Sequence, residues 1–317
     1  MDTLQYCLRK FLYGIPLIIG VTLISFVLMV EFGPDKTYEL IDKNATAEQI
    51  AEVRKELGYD QPFHKRYYGF LMELVTLDFG HSDSSGEKVS SILARTIPVT
   101  VAMTLPGFLF GNLLGIALAL LAAFERGRWL DKGIMTFAVV GMSISFVIVL
   151  IVFQYIFCSS NGLNLFPVSG WEVNSFGDYV QYVTVPTLCS VFVALGYNTR
   201  FYRAIFVEEM TRDHVRTSKA FGASIVSILF KSVLKNSMIP IITRIIFTIP
   251  FIIIGGSLLI ESYYGIPGIG QVTYDAISSG DQPILKAVVS LTAILYVLVL
   301  TLIDLLYKTV DPRISIN

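Results

Sequence analysis

Apolar and polar positions alternate along this chain in long blocks. Phe11 to Val30 is an almost unbroken apolar run behind Arg9 and Lys10, long enough to cross a hydrocarbon core of roughly 30 Å. Further runs cover residues 97–124, 133–157, 183–206, 238–260 and 284–307. The pattern predicts an all-α integral membrane protein with six transmembrane helices, residues 1–31 being a tail and the first span. That first run is too long for the apolar part of a signal peptide, and Glu31-Phe32-Gly33-Pro34 offers no small-residue cleavage pattern, so it is expected to be retained. One run holds Pro98 and Pro106, and another holds Pro240 and Pro250, the latter followed by Gly255-Gly256. Pro106 predicts a kink, and the 238–260 span reads either as a bending, pore-lining helix or as ordinary close helix packing.

The polar blocks differ from one another. Residues 32–96 have the composition of a small helical extracytoplasmic insert, too small for a catalytic domain. Thr46 with Gln49 makes a capping box, Ile50, Val53 and Leu57 form a stripe, and Gly58 ends that helix. A second, aromatic-rich helix is predicted over residues 63–74, with Tyr67, Tyr68 and Phe70 available to pack on the first or to sit at the membrane interface. Asn44-Ala45-Thr46 matches a glycosylation sequon and reads as idle. Residues 125–132 form a short basic turn, while residues 158–182 and 261–283 hold neither Lys nor Arg. Arg200 and Arg203 near the cytoplasmic end of the 183–206 run, and Arg244 one turn past Pro240, are expected to snorkel toward the cytoplasm, and no substrate role is assigned to them.

Residues 207–237 form the most informative polar block. Arg212, Arg216 and Lys219 recur at spacings of three and four and so share a helix face, while Val215 and Ala220 mark a less polar side. Gly222 can close that helix in the left-handed conformation, and Ser224 is a good N-cap for the next. In the second piece Ile225, Ile228, Leu229 and Ser232 fall on one face, with Lys231 and Lys235 on another. By itself such a block can also be a solvated basic linker between spans.

The order Arg-Thr-Ser-Lys-Ala-Phe-Gly at 216–222, followed by Phe230-Lys231, Lys235-Asn236 and Ile239-Pro240, resembles the EAA cytoplasmic loop of ABC-importer permeases, and more narrowly that of the dipeptide and oligopeptide family. Arg216 agrees with that subfamily, and Phe221 departs from its usual Lys. The resemblance extends to Leu57-Gly58, Asp60-Gln61-Pro62, Tyr67 and Asp78-Phe79-Gly80 with Ser82 in the insert. It continues through Phe166-Pro167-Val168-Ser169-Gly170-Trp171, Glu261 with Ile266-Pro267-Gly268-Ile269-Gly270, Asp281-Gln282-Pro283, and Asp304, Tyr307 and Asp311-Pro312-Arg313. It implies a type I ABC importer permease fold with a core over residues 97–317. It also implies that Asp213, Arg216, Thr217, Lys219, Ala220, Gly222, Ala223, Ser224, Lys231, Asn236 and Pro240 couple to an ATPase. Phe166, Pro167, Gly170, Trp171, Glu261, Pro267 and Gly268 would face an extracytoplasmic solute-binding protein. Implied partners are a second homologous permease, two ABC ATPases that carry ATP and Mg, and that binding protein, all at a bacterial inner membrane. Cargo would be di- or oligopeptides, with oligosaccharide, nickel chelate or glutathione as alternatives; substrate-binding residues are not read from the sequence.

Composition and charge narrow the rivals. The chain is 54% hydrophobic and 15% charged, with a mean hydropathy of +0.64. A net charge of -1 gives no reason to expect nucleic acid. Cys7, Cys158 and Cys189 are isolated, and His64, His81 and His214 are far apart, so neither disulfide framework, metal site nor catalytic constellation is expected. No Gly-x-x-x-x-Gly-Lys-Ser/Thr loop occurs, so nucleotide is expected on another chain and no cofactor on this one. Arg126, Arg128 and Lys132, then Arg203 through Lys235, then Lys308 and Arg313 fall on one side of a six-span topology, which predicts cytoplasmic termini. An ion-coupled secondary transporter would show repeated broken helices and buried ionisable residues near mid-membrane, and neither is read here.

Overall fold

The computed structural model describes residues 3–31, 48, 51, 55 and 60–310. The predicted helix built on Thr46, Gln49, Ile50, Val53, Leu57 and Gly58, the Asn44 sequon and the Asp311-Pro312-Arg313 ending lie outside the described residues, as do the side chains of Asp304 and Tyr307. In chain order the helices are α1 (Thr3–Glu31), α2 (Phe63–Thr76), α3 (Val89–Phe124), α4 (Trp129–Ser143), α5 (Phe146–Cys158), α6 (Phe176–Glu209), α7 (Asp213–Ala220) and α8 (Ile225–Ser227). After α8 come a π-helix at Ile228–Leu234, α9 (Met238–Pro250), a second π-helix at Phe251–Gly256, α10 (Ser257–Tyr264), α11 (Ile269–Ser279) and α12 (Gln282–Val310).

Helices α3 and α6, with residues Gln282–Ile303 of α12, are each long and apolar enough to cross a bilayer. Counting two bent pairs as one crossing each brings the total to five, and Leu12–Leu28 of α1 is a shorter apolar helix. The single span expected over 133–157 is instead broken: α4 and α5 meet at 102°. Ile144 is extended there (φ -80°, ψ 131°). No proline marks the break. The local weakness is Gly141, Ser143 and Ser145, with the Ser143 hydroxyl already turned back onto Val139 O at 2.8 Å.

The chain divides into one compact unit of residues 1–97 and 272–298 and another of 98–271 and 299–317. In the first, α2 lies against α1. Phe26 is buried among Phe63, Phe70 and Tyr67 at centroid distances of 5.5–5.6 Å. The Tyr67 hydroxyl donates to Ile19 O at 3.0 Å. The aromatic helix therefore packs on the first apolar run itself, a partner that the sequence pattern does not indicate.

In the second unit α3 and α6 approach through small residues. A Cβ placed on Gly107, Gly111 or Gly115 would stand 2.8–2.9 Å from Ser190, Ala194 and Asn198, which follow the same four-residue step along α6. Below that seam the Tyr202 hydroxyl donates to Asn112 Oδ1 at 2.6 Å. A core of Tyr202, Phe206, Val215, Ile228, Val233 and Ile241 then joins α6, α7, the first π-helix and α9. The π register displaces the face predicted for the second piece of the 207–237 block. Ile228 and Val233, five apart, are buried, whereas Ile225 is exposed.

Candidate functional site

The 207–237 block is built as a rigid corner. Helix α7 ends in a pair of reversed hydrogen bonds, Gly222 N to Lys219 O at 3.0 Å and Ala223 N to Ser218 O at 3.1 Å. Gly222 has φ +76°, the left-handed conformation that this terminator requires. Ser224 Oγ then accepts from Ser227 N at 3.3 Å and caps α8. Val215 is buried in the core, so one face of α7 is anchored on α6.

The opposite face is open. Asp213, Arg216, Thr217, Lys219, Ala220, Ala223 and Lys231 are exposed around the corner, and Phe221 is 86% exposed with Ile225 at 54% and Val226 at 65%. Arg216 and Asp213 form only a loose, solvent-exposed pair at 3.6 Å, of little energetic weight. Pro240 is half-buried at the start of α9. Asn236 contacts His214 Nε2 through its Nδ2 at 3.1 Å. His214 stands 3.2 Å from the buried Glu209, which also receives Arg212 Nε at 3.0 Å. The sequence pattern does not single out His214 and Glu209 for this corner, because only the fold brings the end of α6, the start of α7 and Asn236 together.

Farther along, Asp131 and Arg203 form a two-point pair, Nε to Oδ1 and Nη2 to Oδ2, both at 2.6 Å. The Arg203 guanidinium is therefore neutralised within the protein rather than snorkelling.

Two of the residues expected to face a binding protein are interior. Glu261 is fully buried, and Gly268 is buried beside it. Glu261 Oε2 accepts Gly270 N at 2.6 Å and Gln271 N at 3.2 Å, while Thr100 Oγ1 accepts Ile269 N at 2.8 Å. Together they cap the amino end of α11, whose unpaired N–H groups attract a carboxylate. Gly268 is small because Glu261 and Thr100 occupy the place of its Cβ. Phe166 and Trp171 pack against the Leu150, Cys189 and Tyr264 cluster, and Gly170 N donates to Tyr264 O at 2.8 Å. Pro167 is half-buried, and Pro267 alone of this group is exposed.

Asp281 is, with Glu261, fully buried. Its Oδ2 accepts Ser82 Oγ at 2.6 Å, Ser84 Oγ at 2.7 Å and Ser84 N at 3.1 Å. This explains the Asp78-Phe79-Gly80-x-Ser and Asp-x-Pro patterns as two halves of one tie. Burial works to raise the Asp281 carboxyl, but the Ser82 and Ser84 hydrogen bonds outweigh it and hold the group below its ordinary 3.8. A lowered value stabilises the fold above about pH 4, and that contribution is lost as the carboxyl is protonated at lower pH. Asp281→Ala should cost about 3 kcal/mol at pH 7, since one buried and two partly buried donors lose a charged acceptor. Thermal unfolding in detergent at pH 7 and in acid checks this, and an unchanged Tm at pH 7 would count against the tie.

The helical frame with its exposed corner defines a membrane component of a transport system. The chain belongs to the family "Binding-protein-dependent transport system inner membrane component", whose model matches residues 111–316, and the corresponding amino-terminal family model matches residues 3–104. It is 30% identical to the glutathione transport system permease protein GsiC of Salmonella typhi, over 98% of this chain and 99% of that one. It is 29% identical to a probable peptide ABC transporter permease of Sinorhizobium fredii, over 98% of each chain. A putative peptide transport system permease of Brucella abortus is also 29% identical, over 97% of this chain and 98% of that one. Among solved structures, the inward-facing MetNI methionine ABC transporter superposes with a TM-score of 0.57 at 20% identity, covering 70% of this chain and 97% of that one, a likeness of fold. The chain is thus a multi-pass permease subunit of a binding-protein-dependent ABC importer, which works with ATPase and binding-protein partners.

Proposed function

We propose that this chain is one of two homologous permeases in an importer of peptides, driven by two ATPase subunits that carry ATP and Mg, with both its termini cytoplasmic and no catalytic role of its own. The observation that carries the reading is the corner at 216–226: Arg216, Lys219, Phe221, Ile225 and Val226 are presented to solvent by a turn whose other side is locked into the core. Large exposed apolar residues on a short polar helix mark a docking surface. An ATPase closing on nucleotide would move α7 and the π-helix, and because these share a core with α6 and α9, the motion passes to the pathway helices. The basic residues of 126–132 and 203–235, set against Lys- and Arg-free loops at 158–182 and 261–283, support the orientation. Peptide cargo is favoured by the named peptide permeases among the relatives, with glutathione, itself a peptide, close beside it.

The test is Phe221→Asp in the assembled complex in proteoliposomes. The Phe221 side chain is 86% exposed among the described residues, so the folding and Tm of this chain should hold while retention of the ATPase and peptide uptake fall at least about tenfold, the loss expected for an interface anchor. Unchanged uptake together with unchanged stimulation of ATP hydrolysis by the binding protein would sink the coupling role of this corner.

A further inference from the structure

Two guanidinium groups lie on the apolar helices of the second unit without a carboxylate. Between Asp178 and Glu208 helix α6 holds no acid, and α9 holds none at all. Arg203 is satisfied by Asp131, but among the described residues neither Arg200 nor Arg244 has an ion-pair partner. The Arg244 guanidinium lies over the Phe201 ring at 5.2 Å, and its Nε is buried with no hydrogen-bond acceptor. Tyr197, Arg200, Phe201 and Ala204 are all exposed and, at spacings of three and four, share a face of α6. The next residue, Tyr202, reaches Asn112, twelve residues from the Phe124 end of α3, or about 18 Å along that helix at 1.5 Å per residue. Arg200 is one turn further into the apolar run than Arg203, and Arg244 is six residues, about 9 Å, into α9, so both lie on apolar helices, where an unpaired cation marks a pathway or a partner.

We propose that Arg244, laid on Phe201 and flanked on the same face by Arg200, is an anion-binding position of the translocation path that takes the carboxylate of the cargo. The proposal rests on the importer reading above. The planar guanidinium offers parallel N–H donors matched to a carboxylate. The ring beneath it, 5.2 Å away, fixes its plane. A permease built this way favours cargo with a free carboxylate over the same cargo with that group blocked.

The experiment uses the full importer in proteoliposomes, with tri-alanine and tri-alanine amide as probes. Wild type should take up the free acid about tenfold faster than the amide, the worth of one charge-assisted contact. In Arg244→Gln that ratio should fall to near one, and Arg244→Lys should restore part of it. An Arg244→Gln complex that assembles and keeps the wild-type ratio overturns the proposal. So does a ratio that changes when phosphatidylglycerol is removed from the liposomes, which would place a lipid phosphate at the position. If wild type takes up neither probe, the peptide reading is what fails, and Phe201→Trp fluorescence in the same complex decides the anion position. A saturable change with acetate that Arg244→Gln abolishes supports it, and no change overturns it.

Discussion

Gly270→Ala should leave little folded permease in the membrane. The missing Cβ would stand 2.6 Å from Leu258 N, 2.7 Å from Leu258 Cα and 2.7 Å from Ser257 C. All three are backbone atoms of α10, so no side chain can rotate out of the way. Relief would come only by moving α11, and that movement would pull Gly270 N and Gln271 N from Glu261 and Ile269 N from Thr100. Overpacking costs about 1–3 kcal/mol, and each lost bond to a buried carboxylate adds about 1.5–3. With both bonds to Glu261 lost the total is at least about 4 kcal/mol, a large share of a stability of about 5–15. Gly133→Ala is the matched control, because nothing lies within 4 Å of its Cβ position in α4. Yield and Tm in detergent compare the two, and equal values would refute the close-approach account of the Pro-Gly-Ile-Gly segment.

Features written in neighbouring residues can be read from the chain. The apolar runs around α3, α6 and α12 need only length and composition, and Gly222 with Ser224 needs only the chemistry of a helix end and a cap. Features that depend on distant partners cannot. Glu261 reads as a loop carboxylate, since an ionisable side chain next to Ser262 and Tyr263 is ordinarily solvated. Its place at the foot of α11 depends on the chain folding back within nine residues and on Thr100 from another helix. The 133–157 run has uninterrupted hydropathy, yet bends by 102°, because hydropathy records what a segment dissolves in and not whether its hydrogen bonds continue. A period of 3.6 assigns one face to residues 225–234, and the π register moves the buried positions to 228 and 233. A change of helix type leaves no mark in composition.

Asp131→Ala should be about as damaging as Gly270→Ala, for an electrostatic reason, with a loss of about 3–5 kcal/mol. The Asp131 side chain is 4% exposed and the Arg203 side chain 24%, so removing the carboxylate strands a cation that water reaches poorly. It also frees Gly127 N, which Asp131 Oδ2 holds at 2.9 Å across the 125–128 turn. Arg203→Met leaves the reverse defect, a buried carboxylate with only one backbone donor. The double variant Asp131→Ala with Arg203→Met removes both charges, so it should lose less than either single change, and less than their sum by about 2 kcal/mol or more. Unfolding of the four proteins in one detergent closes the cycle. Additive losses would mean that the two residues act independently, despite the 2.6 Å contacts. Coupled losses would give the pair a consequence for transport. Seventy-two residues separate its members, and it fixes the 125–132 turn to the helix whose next turns carry Phe206 and Glu209. A variant that keeps its fold but loosens that attachment should let α6 move without α4, and so weaken uptake more than ATP hydrolysis.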